Sequence, residues 1–175
     1  MKFQRINKRS TKIKSLLCLF VALPLFLLFP ACSTKYIPHT TIEDTPENRA
    51  IVRLMDEYRQ AMEELNAQRL TELAAPDYYD TAGTPAPEDD INLAGLKEFL
   101  EKEFAKIKIL RLTIRIERIT PDKDNENIQY VDFRYVVRYQ LTMPSGDIWK
   151  ADEELKRITV IRQSESSPWL IQSGM

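Results

Sequence analysis

Apolar residues after position 45 recur every three or four positions, which is the spacing of an amphipathic helix. Thr45 is a good N-cap and Pro46 suits the first turn, so a helix is predicted to begin there. Asn66 is predicted to cap a short second helix and Asn92 a third, with a short strand or turn at residues 77–80 between them. The inward positions are Ile51, Leu54, Met55, Tyr58, Met62 and Leu65 in the first helix and Leu93, Leu96, Phe99, Leu100, Phe104 and Ile107 in the third.

From Leu110 onward the apolar spacing changes to two, which predicts strands with one buried face. One strand runs to Ile116, and a second carries apolar residues at alternate positions from 131 to 141. Residues 144–147 predict a hairpin turn into a third strand, and Trp169 faces inward on a final short strand. Helices followed by an antiparallel meander predict an α+β domain with the helices packed on one face of the sheet.

The third long strand, residues 149–160, has an interrupted alternation. If Trp149 faces inward, the odd-numbered residues of the strand face inward, whereas an inward Ile158 requires the even-numbered ones to do so. A β-bulge between residues 154 and 157 would reconcile the two, because one extra residue moves the following side chains to the opposite face. In this register Glu153 shares the inward parity of Trp149.

Three segments carry a packing signature: Tyr58-Arg59-Gln60-Ala61-Met62, Leu70-Thr71-Glu72-Leu73-Ala74-Ala75-Pro76-Asp77 and Trp169-Leu170-Ile171-Gln172-Ser173. With the order of elements, they resemble the nuclear transport factor 2-like (NTF2-like) or SnoaL-like superfamily over about Pro46 to Ser173. The resemblance implies a strongly curved antiparallel sheet that wraps around the helices as a cone. Cystatin-like and other helix-on-sheet domains are the alternatives.

The first 31 residues have the parts of a secretory signal. Six Lys and Arg residues and no acid occupy the first fourteen positions, and the apolar run from Leu16 to Phe29 is shorter than the ~20 residues of a spanning helix. The ending Ala31-Cys32 resembles a bacterial lipoprotein signal, although Phe29 and Pro30 depart from the usual lipobox. The resemblance implies that Cys32 is acylated and anchors the chain to a bacterial membrane in the cell envelope. A secreted protein without lipid and a retained signal anchor are the alternatives. The predicted organisation is a signal peptide over residues 1–31, a flexible tether over 32–45 and the NTF2-like domain over 46–175.

Charge and composition exclude several classes of function. After the basic start the chain carries 19 basic and 26 acidic residues, and a net charge of −7 disfavours nucleic-acid binding. Only Cys18 and Cys32 are present, and the single His, His39, lies in the predicted tether, so neither the usual zinc ligands nor a Ser-His-Asp triad is available. The loop from Asp122 departs from the calcium-loop pattern at its sixth and twelfth positions. We expect no metal and no cofactor.

A cone of this kind implies an interior that is either a pocket or a filled core. Enzymes of the superfamily place Asp with Tyr, His with Asp, or Asp-Arg-Asp inside the cone. The position of the only His argues against the second set, and Asp80 and Glu153 are the remaining carboxylate candidates. The pocket-lining candidates are Met55, Tyr58, Met62, Tyr78, Phe104, Tyr135, Tyr139 and Trp149.

The expected function is non-catalytic binding of a small apolar ligand or of an envelope protein partner, with homodimerisation as a further option. The alternative is a cone-pocket isomerase, dehydratase or hydrolase that uses a carboxylate with a Tyr. Catalysis of that kind needs a proton acceptor poised near neutral pH. A Glu153 carboxyl inside the cavity and bonded to a Tyr hydroxyl would favour the enzyme.

Overall fold

Three α-helices of the described residues precede the main sheet, and each begins where the sequence supplies an N-cap. The computed structural model describes residues 34–84 and 87–175, so the predicted signal peptide and Cys32 lie outside the described residues. The Thr45 hydroxyl accepts a hydrogen bond from the Asn48 amide at 3.0 Å, and the side chains of Asn66 and Asn92 cap the next two helices at 2.9 Å. The predicted helix starts are confirmed. The helices are α1 (Pro46–Glu63), α2 (Ala67–Glu72) and α3 (Leu93–Phe104).

The strands of the described residues form a small hairpin and a four-stranded antiparallel sheet of order β3-β4-β5-β6. Register shifts in β3, between Ile107 and Ile109 and between Ile116 and Arg118, bend the strand and help to curve the sheet. Helices on the concave face of a curved antiparallel sheet make this the predicted α+β cone. The strands are β1 (Tyr79–Asp80), β2 (Ile91–Asn92), β3 (Ile107–Pro121), β4 (Ile128–Leu141), β5 (Ile148–Ile161) and β6 (Leu170–Ser173).

The core lies between the helices and the concave face of the sheet. Ile51 and Leu70 from the helices pack in one cluster with Phe133, Ile158 and Ile171 from the strands, and all five are fully buried. Each such side chain contributes about 1.5–3 kcal/mol through the apolar surface that it removes from water. This shared core holds the helical layer against β4, β5 and β6.

The predicted helices were too long, since Leu65 lies beyond the end of α1 and Ile107 begins β3, and one inward position within a helix was wrong. Phe99 fits the apolar spacing of α3, but its side chain is 49% exposed, while Leu96, Leu100 and Phe104 on the same helix are buried. The face of α3 that packs against the core therefore includes fewer residues than its apolar spacing suggests. Phe99 instead lies at the rim of the cavity described below.

The predicted bulge in β5 is absent. β4 and β5 pair without a register shift from Ile128 opposite Ile161 to Leu141 opposite Ile148. Directly opposite residues share a face of the sheet, so the concave face of β5 carries Ile158 but not Trp149. Residues 148–155 are exposed on both faces. None of α1, α2 and α3 covers this end of the hairpin, so burial does not select apolar residues for its concave side. The outer face there carries Trp149, whereas the concave face carries Lys150 and Asp152.

The segment before α1 is folded rather than extended. The Asp44 amide donates to the Lys35 carbonyl at 2.7 Å and the Ile37 amide donates to the Ile42 carbonyl at 2.9 Å, which closes a turn with His39 at φ +64°. The Ile42 side chain is buried. These residues of the expected flexible tether thus belong to the folded unit, which spans residues 35–175. None of the helices in the described part of the chain is long and apolar enough to cross a membrane.

Candidate functional site

A cavity of about 270 Å³ lies between α1, α3 and the concave face of the sheet. Most of its wall is apolar, with Met62 and Phe104 on the helical side and Leu112, Phe133 and Val137 on the sheet side. Small-molecule pockets are mostly apolar and usually measure ~300–1,000 Å³. The cavity lies just below that range and therefore suits a small ligand.

Tyr58 supplies a polar group within this apolar wall. It lies on α1, its side chain is 7% exposed, and its hydroxyl forms no hydrogen bond with the described residues. Burial, and to a lesser extent the neighbouring Tyr135, raises the pKa of Tyr58 to about 12. Near neutral pH the side chain is therefore an uncharged hydroxyl that can donate a hydrogen bond into the cavity.

Tyr135 and Glu154 form a hydrogen-bonded pair where β4 and β5 pass the helical layer. The Tyr135 hydroxyl donates to the Glu154 carboxylate at 2.9 Å, and the two residues are direct partners in the strand register. Burial first, and then this hydrogen bond, raises the pKa of Tyr135 to about 12. Tyr135 lines the cavity, whereas the Glu154 side chain is exposed to solvent.

The sequence prediction missed this pair and selected the neighbour, Glu153. Glu153 lies opposite Val136 on the outer face of the sheet, where its carboxylate accepts a hydrogen bond from Arg134 at 3.2 Å. Counting pairs outward from the predicted turn at residues 144–147 would have placed Lys156 opposite Tyr135. The turn lies one residue earlier, closed by the Gly146 amide and the Met143 carbonyl, and this register places Glu154 opposite Tyr135. Because a bulge was assumed, Trp149 and Glu153 were placed on the concave face, which the regular pairing gives to Glu154 instead.

Asp80, the other carboxylate candidate, lies outside the cavity and links two backbone segments by hydrogen bonds. Its carboxylate accepts hydrogen bonds from the amides of Ala82 and Gly174, both at 2.9 Å, and from the Tyr78 hydroxyl at 3.3 Å. Burial, together with the Asp80 charge, raises the pKa of Tyr78. This arrangement fastens β1 to the chain that follows β6, so Asp80 has a structural position rather than one facing the cavity.

The pocket-lining candidates divide into three groups. Tyr58, Met62, Phe104 and Tyr135 line the cavity. Tyr78 and Tyr139 contribute to the core or lie against it without lining the cavity, and Met55 borders a separate, more open groove of about 650 Å³ between α1, β3 and the turn at His39. Trp149 was assigned to the wrong face: it lies on the outer side of the hairpin and is 58% exposed.

Two further charged groups border the cavity, Glu103 on α3 and Lys156 on β5. Lys156 is opposite Phe133 and partly buried, and it forms no ion pair with the part of the chain that the structure describes. Glu103 accepts a hydrogen bond from the Lys106 ammonium at 2.6 Å. Within residues 34–84 and 87–175, no group of three or more His, Cys, Asp or Glu side chains is arranged to hold a metal ion.

No protein-family model and no curated protein sequence matches this chain. Solved structures do match it. A scytalone dehydratase candidate from Novosphingobium aromaticivorans is 19% identical with a TM-score of 0.58, and the match covers 73% of this chain and 80% of that one.

Two more solved structures agree with this match. A ketosteroid isomerase-like protein from Erwinia carotovora atroseptica is 13% identical, with a TM-score of 0.57 over 75% of this chain and 95% of that one. ActVI-ORFA from Streptomyces coelicolor is 12% identical, with a TM-score of 0.56 over 73% of this chain and 94% of that one. At these identities the matches show the fold alone, and that fold is the NTF2-like cone.

Proposed function

We propose that this chain is a membrane-tethered, non-catalytic binding domain whose cone cavity holds a small apolar ligand. The observation that carries the proposal is an apolar cavity of about 270 Å³ with the unpaired hydroxyl of Tyr58 in its wall. A cone that served only as a structural support would gain stability from filling this space, because core voids are destabilising. An open apolar cavity with an unpaired polar group in its wall is instead typical of a binding site.

The carboxylates near the cavity argue against catalysis. A proton acceptor in a cone enzyme must be free and desolvated beside the reacting atom. Glu103 is hydrogen-bonded to Lys106, and Glu154 is exposed and already accepts the Tyr135 proton donor. Glu63 accepts from the Leu112 amide at 3.0 Å and pairs with Arg59 at 2.8 Å. Each of these three carboxylates is thus either paired with another group or exposed to solvent.

Co-purification tests the binding proposal. Val137 lines the cavity, while Val136 lies on the opposite face of the same strand, so Val137→Phe fills the cavity and Val136→Phe is its matched control. We expect mass spectrometry of extracts from the purified protein to find a small apolar compound in wild type and in Val136→Phe but not in Val137→Phe. The same compounds in equal amounts in both variants would contradict a ligand in the cone.

The tether is proposed from the sequence pattern that ends at Cys32. Acyl chains contribute about 0.8 kcal/mol per buried methylene, so several chains on one residue would hold the domain at a bacterial membrane durably. Cells fed a labelled fatty acid should label the wild-type protein and leave Cys32→Ser unlabelled. Equal label in the two proteins would rule out acylation at this residue.

One observation favours a second candidate, an enzyme that moves a proton next to a carbonyl group. The Glu154 carboxylate and the Tyr135 hydroxyl are 2.9 Å apart at the edge of the cavity, and they combine a carboxylate with a Tyr. The test is deuterium exchange from heavy water into a small cyclic ketone, followed by NMR. Exchange that Glu154→Gln abolishes and Glu153→Gln preserves would establish the enzyme, whereas exchange at the background rate supports binding alone.

A further inference from the structure

The cavity has unused hydrogen-bond donors. Tyr58 and Lys156 both line it, and neither the Tyr58 hydroxyl nor the Lys156 ammonium group has a hydrogen-bond or ion-pair partner in the described part of the chain. Tyr58 is more than nine-tenths buried, so water can satisfy its hydroxyl only from inside the cavity. The hydroxyl oxygen itself is not sealed from solvent, so a bound acceptor would replace water on it.

The two glutamates at the cavity already have partners other than Lys156. Glu154 is two residues from Lys156 on the same face of β5, yet its carboxylate accepts from the Tyr135 hydroxyl at 2.9 Å rather than pairing with that lysine. The Glu103 carboxylate pairs with Lys106, which lies on the same segment at 2.6 Å. Lys156 is therefore a cation on the cavity wall that the neighbouring glutamates do not pair with.

We infer that the cavity selects apolar carboxylates, with the carboxylate of the ligand paired to Lys156 and hydrogen-bonded by Tyr58. This inference rests on the proposed function, which it makes more specific. A carboxylate has two acceptor oxygens, so it can accept hydrogen bonds from the Lys156 ammonium group and from the Tyr58 hydroxyl together. Its charge matches the ammonium group, and charge-assisted hydrogen bonds are about twice as strong as neutral ones.

The rest of the ligand follows from the cavity walls. Leu112, Phe133 and Val137 offer contact surface without polar atoms, so the body of the ligand is hydrocarbon. A volume of about 270 Å³ admits a short chain or a single ring and excludes a fused-ring system of steroid size. An apolar amine of the same size would place its cation beside Lys156 and be rejected.

Paired probes separate the charge from the hydrocarbon. Octanoate and octan-1-ol share one chain length and differ in the charged group, and titration calorimetry of the full chain measures both. We expect octanoate to bind at least about tenfold more tightly than octan-1-ol, as one charge-assisted contact implies. Lys156→Met should remove this preference while leaving octan-1-ol binding within about threefold of wild type.

Matched variants keep the outcome interpretable. Lys150→Met removes a lysine from the same face of β5 at an exposed position that does not line the cavity, so it should keep the preference for octanoate. Lys156→Arg retains the charge and should keep it as well, and Tyr58→Phe should weaken octanoate more than octan-1-ol. Equal binding of both probes, unchanged by Lys156→Met, would overturn the inference while leaving an apolar site. Binding of neither probe would instead contradict the proposed function itself.

Discussion

Among the glycines, Gly174 is the one where we expect an added methyl group to lower the free energy of unfolding most. It follows β6 with φ at +92°, and a Cβ built on it would lie 2.3 Å from the Arg157 carbonyl oxygen and 3.1 Å from the Ile158 Cα. Both neighbours are backbone atoms of β5, which cannot rotate away as a side chain can. Gly174→Ala therefore forces the chain after β6 away from the sheet, against the hydrogen bond that its amide donates to Asp80 at 2.9 Å.

The size of the effect follows from two contributions. A non-glycine residue at this φ costs about 1–3 kcal/mol of backbone strain. Displacing packed backbone to admit the methyl group costs about another 1–3 kcal/mol. Gly146, in the hairpin turn, has φ at +112°, but an added methyl group would find no atom within 4 Å. Gly146→Ala is the matched control, since it adds the strain without the clash.

Urea unfolding followed by tryptophan fluorescence measures both variants. We expect Gly174→Ala to lower the free energy of unfolding by about 2–6 kcal/mol and Gly146→Ala by about 1–3 kcal/mol, with similar m-values. If Gly174→Ala is no more destabilising than Gly146→Ala, then the chain after β6 does not pack against β5 as described. The close approach would then have no energetic consequence.

Three other substitutions test the core and the outer face of the sheet. Trp169→Ala should lower the free energy of unfolding by about 3–5 kcal/mol in urea unfolding, because the ring is 6% exposed; a loss below about 1 kcal/mol would contradict its burial. Hydrogen bonds from Arg157 and, less strongly, Arg118 hold the pKa of Asp132 below its usual range, with burial opposing them. The pKa of Asp132 is thus lower in the folded state than in the unfolded state. The ionised carboxylate therefore stabilises the fold fully above about pH 3.9, and this stabilisation is lost as the pH falls through the folded-state pKa. Asp132→Asn should therefore cost about 1–3 kcal/mol at pH 7 and progressively less in acid-range melts, and a cost independent of pH would refute this linkage. Arg138 lies directly opposite Arg111, and like charges at opposite positions repel each other. Arg138→Glu should therefore raise the thermal midpoint and increase the free energy of unfolding by about 0.2–1 kcal/mol. An unchanged or lower midpoint would contradict repulsion between the two arginines.

The secondary structure and its order could be predicted because their causes are local. Thr45, Asn66 and Asn92 cap the helices through their own side chains, and no distant contact is needed for that role. The turn after β4 contains Gly146 at positive φ, which a glycine adopts without strain. Apolar spacing of 3.6 and 2 then identifies which residues share a face. From these local causes the α+β class and the cone-like order of elements follow.

The candidate site depended on contacts that no local pattern contains. Spacing of two tells which residues of β5 share a face, but which face is concave depends on the pairing with β4 and on where the helices end. Trp149 was placed inward because it is apolar, although the helices do not reach that end of the hairpin. The same error replaced Glu154 with Glu153. Burial acts on a side chain only where another layer covers it, so the tertiary structure alone decided that Tyr135 meets Glu154 and that Tyr58 and Lys156 border one cavity.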